Sequence, residues 1–140
     1  MKRFTLLLSL LLLCSITFAQ SGKNLVSLYR VTDFTIRATS GKGDFEFEKA
    51  DGYLCLYDKE NGTIKMNNEA QNAWYLNKSS VKVQSKTDKD GDKYTVKTYK
   101  AIDEEGISCD VSLVEYQGLI SDMFVAVYSD ITMGFILKKL

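Results

Sequence analysis

From Leu25 onward the chain alternates apolar and polar side chains in short runs, separated by clusters of Gly, Asn and Asp. A period of two places every second side chain on one face of an extended strand, whereas a helix would repeat its apolar positions at three and four. The helical repeat is almost absent. The alternation predicts about nine strands, near Leu25 to Ala38, Asp44 to Lys49, Tyr53 to Tyr57, Thr63 to Asn67, Ser80 to Thr87, Lys93 to Ala101, Ile107 to Tyr116, Asp122 to Tyr128 and Thr132 to Lys138.

The connections carry turn chemistry. Asn61-Gly62 is the dipeptide that tolerates the positive φ of a type I′ hairpin, and the acidic runs ending at Gly91 and Gly106 suit the same task. From Ser80 to the C-terminus the strands follow one another through short links, which favours an antiparallel meander. The chain is therefore read as all-β, a single antiparallel β-barrel or flattened sandwich of about eight to nine strands, with a lipocalin-like meander in its C-terminal half. The stretch from Asn68 to Asn77 suits one helical turn or a crossover, with Trp74 plugging a barrel end. The apolar positions predict a core drawn from Phe45, Phe47, Leu54, Leu56, Trp74, Tyr94, Val96, Ile107, Cys109, Val111, Leu113, Val125, Val127 and Phe135.

The first residues follow another pattern. Lys2 and Arg3 precede the apolar run from Leu6 to Leu13, and Thr17-Phe18-Ala19 then offers small residues where signal peptidase reads them. Residues 1–19 are expected to be a secretory signal peptide and residues 20–140 a single β-rich domain, periplasmic or secreted, with no transmembrane anchor after cleavage. Lipid attachment at Cys14 is the alternative, and bulky Leu13 before it argues against a lipobox.

Composition removes several kinds of chemistry. Without Lys2 and Arg3 the domain holds 16 basic and 18 acidic side chains, so no field favours nucleic acid. Histidine is absent, which excludes Ser-His and Cys-His dyads and histidine-held metals. No cofactor is expected. Cleavage leaves two cysteines, and in an oxidising compartment Cys55 and Cys109 are expected to form a buried disulfide. Closing that loop would stabilise the fold by roughly 4 kcal/mol.

Candidate sites are few. Asp88, Asp90 and Asp92 alternate around Gly91 as calcium ligands do, but an EF-hand register would require Gly and Glu where Lys93 and Tyr99 stand. A solvated turn explains them better, and no metal is assigned. Lys82, Lys86, Lys93 and Lys97 beside Tyr99 suggest a basic hairpin face, diluted by aspartates. Glu46, Glu48 and the run Asp103-Glu104-Glu105 supply paired carboxylates, and Glu48 with Asp110 is a hydrolase candidate by residue type. Trp74, Tyr75, Tyr99 and Tyr116 are the candidate ligand or partner contacts, with Tyr53, Tyr57 and Tyr94 expected to face inward.

The pattern from Tyr94 to Asp103, followed by Gly106-Ile-Ser-Cys-Asp-Val111, resembles small secreted bacterial β-proteins of uncharacterised function. The resemblance covers residues 80–140 and implies a fold and export, with no activity. Three functions compete. The first is a non-enzymatic binding or protein-interaction domain at the cell envelope or outside the cell. The others are a lipocalin-like carrier of a small apolar ligand and a carboxylate-dependent hydrolase. An interior hollow of several hundred cubic ångströms would favour the carrier.

Overall fold

The computed structural model describes residues 26–67, 72–118 and 121–140. The expected leader, Cys14 and residues 68–71 of the uncertain stretch lie outside them. The strands are β1 (Val26–Ala38), β2 (Glu48–Asp58), β3 (Thr63–Met66), β4 (Ala73–Thr87), β5 (Lys93–Asp103), β6 (Ser108–Tyr116), β7 (Ser121–Val127) and β8 (Ile131–Lys139). Each pairs antiparallel with the next, and β8 returns to β1, so the sheet closes into an up-and-down barrel. Closure leaves a sheet without open flanks over most of its length. The all-β expectation holds, in its barrel form.

Because consecutive strands reverse direction, the β1–β2, β3–β4, β5–β6 and β7–β8 connections lie at one end of the barrel, here called the mouth. The other connections mark the base. A register shift between Val31 and Asp33 lets the long strand β1 bend while serving β2 on one edge and β8 on the other.

Two expected strands merge, since Asp44 to Lys49 contributes only its end to β2. Residues 41–47 instead fold back over the outer wall. Arg37 Nη1 donates to the Gly43 carbonyl at 2.7 Å, and its guanidinium lies 3.8 Å from the Phe45 ring centroid. Phe47 covers Gly134, where an added Cβ would meet Thr35 Cγ2 at 3.0 Å and the Phe47 ring at 3.6 Å. Phe45 and Phe47 therefore clad the wall and do not enter the core. Asn61 also departs from expectation. Only Gly62 of that dipeptide has positive φ, at 65°, so the turn is not type I′, and Asp58 Oδ1 caps it through the Glu60 and Asn61 N–H groups.

The core is built around Val31, Cys55, Ile64, Val111 and Phe124, all almost fully buried. Phe124 stacks on Phe135 at 5.7 Å and meets Trp74 edge-on at 5.0 Å. Trp74, Cys109, Val111, Leu113 and Phe135 join the core as expected. In two strands the face is reversed: Cys55 is buried while Leu54 is 42% exposed, and Phe124 and Ala126 are buried while Val125 and Val127 lie half-exposed. Both runs are apolar on both faces, so a period of two does not say which side turns inward. Ile107 is exposed, and Tyr94 stacks on Tyr116 at 5.0 Å on the outer wall, the face it shares with Val96.

Strand β4 outruns the barrel. It meets β3 only from Ala73 to Tyr75, then shifts register on β5 between Asn77 and Lys82. From Val81 to Thr87 every side chain is exposed, Val83 at 59%.

Candidate functional site at the barrel mouth

The inward positions of β5 run Tyr99, Ala101, Asp103, so strand parity carries a carboxylate into the barrel where the strand ends. Asp103 is only 8% exposed. Its Oδ1 accepts the N–H groups of Glu105 and Ile107, both at 2.9 Å, which shapes the β5–β6 turn. Its Oδ2 accepts the Tyr128 hydroxyl at 3.1 Å, and that hydroxyl accepts Trp74 Nε1 at 3.0 Å. Strands β4 and β5 and the residue that follows β7 are thus tied by one relay, Trp74 to Tyr128 to Asp103. Burial pushes the Tyr128 hydroxyl well above its ordinary value, and the neighbouring carboxylate adds to the rise, so it stays a neutral donor.

Above this relay lies a cavity of about 630 Å³ that opens at the mouth. Its apolar wall is made by Phe34, Tyr53, Met66, Trp74, Met133 and Phe135. Asp103, Glu104, Glu105 and Asp130 supply its charged groups. The loop after β1 braces the rim: Thr39 N–H donates to the Asp130 carbonyl at 2.9 Å, and Thr39 Oγ1 donates to the Tyr128 carbonyl at 2.8 Å. An aromatic hollow with a few polar groups is the usual form of a small-molecule site.

The base is filled. Tyr29, Tyr57, Leu113 and Leu137 close around a residual space of about 10 Å³, no larger than about one water. Asp122 is buried there, its Oδ2 without a hydrogen bond and 4.0 Å from Lys139 Nζ. Burial raises its pKa, Lys139 draws it partly back, and Glu115 raises it further. A third hollow, about 730 Å³, lies along Tyr75, Ile102, Ser108 and Asp110 and is flanked by Lys100. It crosses the outer wall and is shallow and open, so it encloses nothing.

The expected site residues scatter. Trp74 is 4% exposed and lines the mouth cavity, as does Tyr53, which faces inward as expected. Tyr75 lies on the outer wall, 41% exposed. Tyr99 is buried with its ring toward Tyr57, contrary to its expected outward position, and Tyr116 is held in the stack with Tyr94. Asp88 Oδ1 accepts the Asp90 and Asp92 N–H groups at 3.0 and 2.9 Å, the geometry of a capped turn. Among the described residues no group of three or more acidic or thiol side chains converges as metal ligands.

The expected disulfide is not formed: Cys55 and Cys109 are separate buried thiols. They sit on β2 and β6, opposite walls of an eight-stranded closed barrel, while a bridge needs Cβ atoms about 4 Å apart. Burial pushes Cys55 up to about 12 and Cys109 up to about 11. The same separation keeps Glu48 from Asp110, which pairs with Lys100 at 2.8 Å. The lysines divide as well: Lys82 and Lys86 stand opposite Thr98 and Tyr94, whereas Lys93 and Lys97 stand opposite Thr87 and Val83 on the other face.

Tyr128, Phe34 and Met133 were missed as site residues, and Asp103 was noted only as one of the paired carboxylates. The acidic run at 103–105 was visible, but its meeting with Tyr128 and Trp74 depends on strand order. Comparison with protein-family models, curated proteins and solved structures finds no match to this chain, so the site is read from its geometry and chemistry.

Proposed function

We propose that the protein is a non-enzymatic carrier that holds a small, largely apolar molecule in the barrel mouth, acting at the cell envelope or outside the cell. The observation that carries this reading is the hollow of about 630 Å³ at the barrel mouth, open to solvent at one end and walled by aromatic and methionine side chains. A barrel of about eight strands has room either to be filled by side chains or to hold one small ligand. Here the filled part and the hollow part are at opposite ends. The rigid relay through Trp74, Tyr128 and Asp103 supplies a preformed floor, which lowers the entropic cost of binding.

Native mass spectrometry of the protein purified from its source tests the reading. A carrier shows a stoichiometric mass above that of the chain, and organic extraction releases it as a small molecule. Ala50→Phe, which projects a ring into the cavity, should remove that mass while the chain stays folded by circular dichroism. The exposed β4 segment Val81–Thr87 favours a second reading, a protein-interaction domain that adds a partner strand to this edge. A stoichiometric protein partner, with no extractable small molecule, would replace the carrier by that reading.

A further inference from the structure

We infer that the molecule held in the mouth is a cationic amphiphile, with an apolar body and an amine head. The inference rests on the carrier reading and assigns the chemical class of the ligand. The site is the cavity; the carboxylates around it set the sign of the charge it accepts. Asp103, Glu104, Glu105 and Asp130 line it, and no lysine or arginine does.

These acids come from the β5–β6 and β7–β8 turns, whereas β1, β2 and β3 contribute Phe34, Tyr53 and Met66. The charged groups are therefore gathered on one side of the mouth, across from Phe34, Tyr53 and Met66. The ion pairs among the described residues fall on Asp33, Asp110, Glu115 and Asp122, and none involves a rim acid. Three of the four rim acids already accept protein N–H or O–H groups. Asp103 takes three such bonds, Glu104 takes the Ala73 N–H at 3.4 Å, and Asp130 takes the Ile131 N–H at 2.9 Å. Those bonds orient the carboxylates without neutralising them.

A ligand with its own carboxylate would meet like charge at the acidic side of the cavity. A neutral one would leave the buried Asp103 carboxylate, and the exposed Glu104, Glu105 and Asp130 around it, facing the ligand without a counter-charge. An ammonium group placed against the acids resolves both problems. The apolar body then lies over Phe135 and Met133.

Calorimetric titration of the purified protein with octylammonium, octanol and octanoate separates the possibilities. Octylammonium is expected to bind about tenfold more tightly than octanol, as charged hydrogen-bond partners do, and octanoate more weakly than either. Added salt should narrow the difference. In the Glu104→Gln/Glu105→Gln double variant the ratio of ammonium to octanol affinity should fall toward one. Equal binding of octanol and octylammonium, or a ratio unchanged in the variant, overturns the amine assignment and leaves the carrier reading standing. Binding of none of the three overturns both.

Discussion

The two ends of the barrel are built from the same eight strands, yet one is solid and the other hollow. At the base the inward positions carry Tyr29, Tyr57 and Leu137, and their bulk leaves room for no ligand. Toward the mouth the inward positions include Ala50 and Ala126, and Phe135, Trp74 and Tyr128 form walls around a space they do not fill. The polar groups differ in the same sense. Asp103 at the mouth has every bond its fold position offers, whereas Asp122 at the base has a buried oxygen with no hydrogen bond. The difference teaches that side-chain volume at alternate strand positions, more than backbone closure, decides where a small barrel has an interior to offer.

Removing the side chain that divides the two ends should have the largest effect. Phe124 is fully buried between Trp74 and Phe135. Phe124→Ala is expected to destabilise the fold by about 3–5 kcal/mol in urea unfolding. A loss below about 1 kcal/mol would mean that the ring is not the partition. Tyr128→Phe should cost less, about 1–3 kcal/mol, because it leaves Trp74 Nε1 and Asp103 Oδ2 without their shared partner. A neutral result would show that water replaces the hydroxyl and that the floor is not preformed.

The base answers oppositely. Asp122 has a folded-state pKa raised chiefly by burial, so protonation favours the folded chain. Its contribution is present below the ordinary carboxylate value and is lost as pH rises through the raised one. Asp122→Asn should therefore stabilise the protein at pH 7, by on the order of 1 kcal/mol, and flatten the pH dependence in that window. A destabilised variant would show that Lys139 compensates the charge fully. The smallest effect concerns the thiols. Both are buried with raised pKa, so Cys55 and Cys109 should react with a thiol reagent only after denaturation, without any need for reductant. On slow opening, Cys109 should react before Cys55, whose pKa burial raises further.

Most strand positions and the barrel class were legible in the sequence because alternation is local, whereas the start of β4 at Ala73 and the type of the Asn61-Gly62 turn were not. Cys109, Val111 and Leu113 show the alternation at its clearest, with aspartate and serine between them. What was not legible depends on volumes and partners from distant strands. Leu54 and Cys55 are both apolar, so the inward face of β2 follows from its pairing with β1 and β3. Tyr99 was read as outward because aromatics suit either face of a strand. The cavity could not be read at all, since an empty space belongs to no residue. The disulfide expectation failed for a related reason: counting cysteines says nothing about which walls of a closed sheet they occupy.

Trp74 is the only tryptophan in the chain and lines the cavity at 4% exposure, so its fluorescence reports the interior directly. Titration with a bromoalkyl amine, whose bromine quenches tryptophan only at contact, tests the hollow mouth most directly. A ligand held in the hollow gives saturable quenching with one molecule bound per chain, abolished by Ala50→Phe. Absent quenching, or weak quenching that grows linearly with no saturation in both proteins, would contradict it.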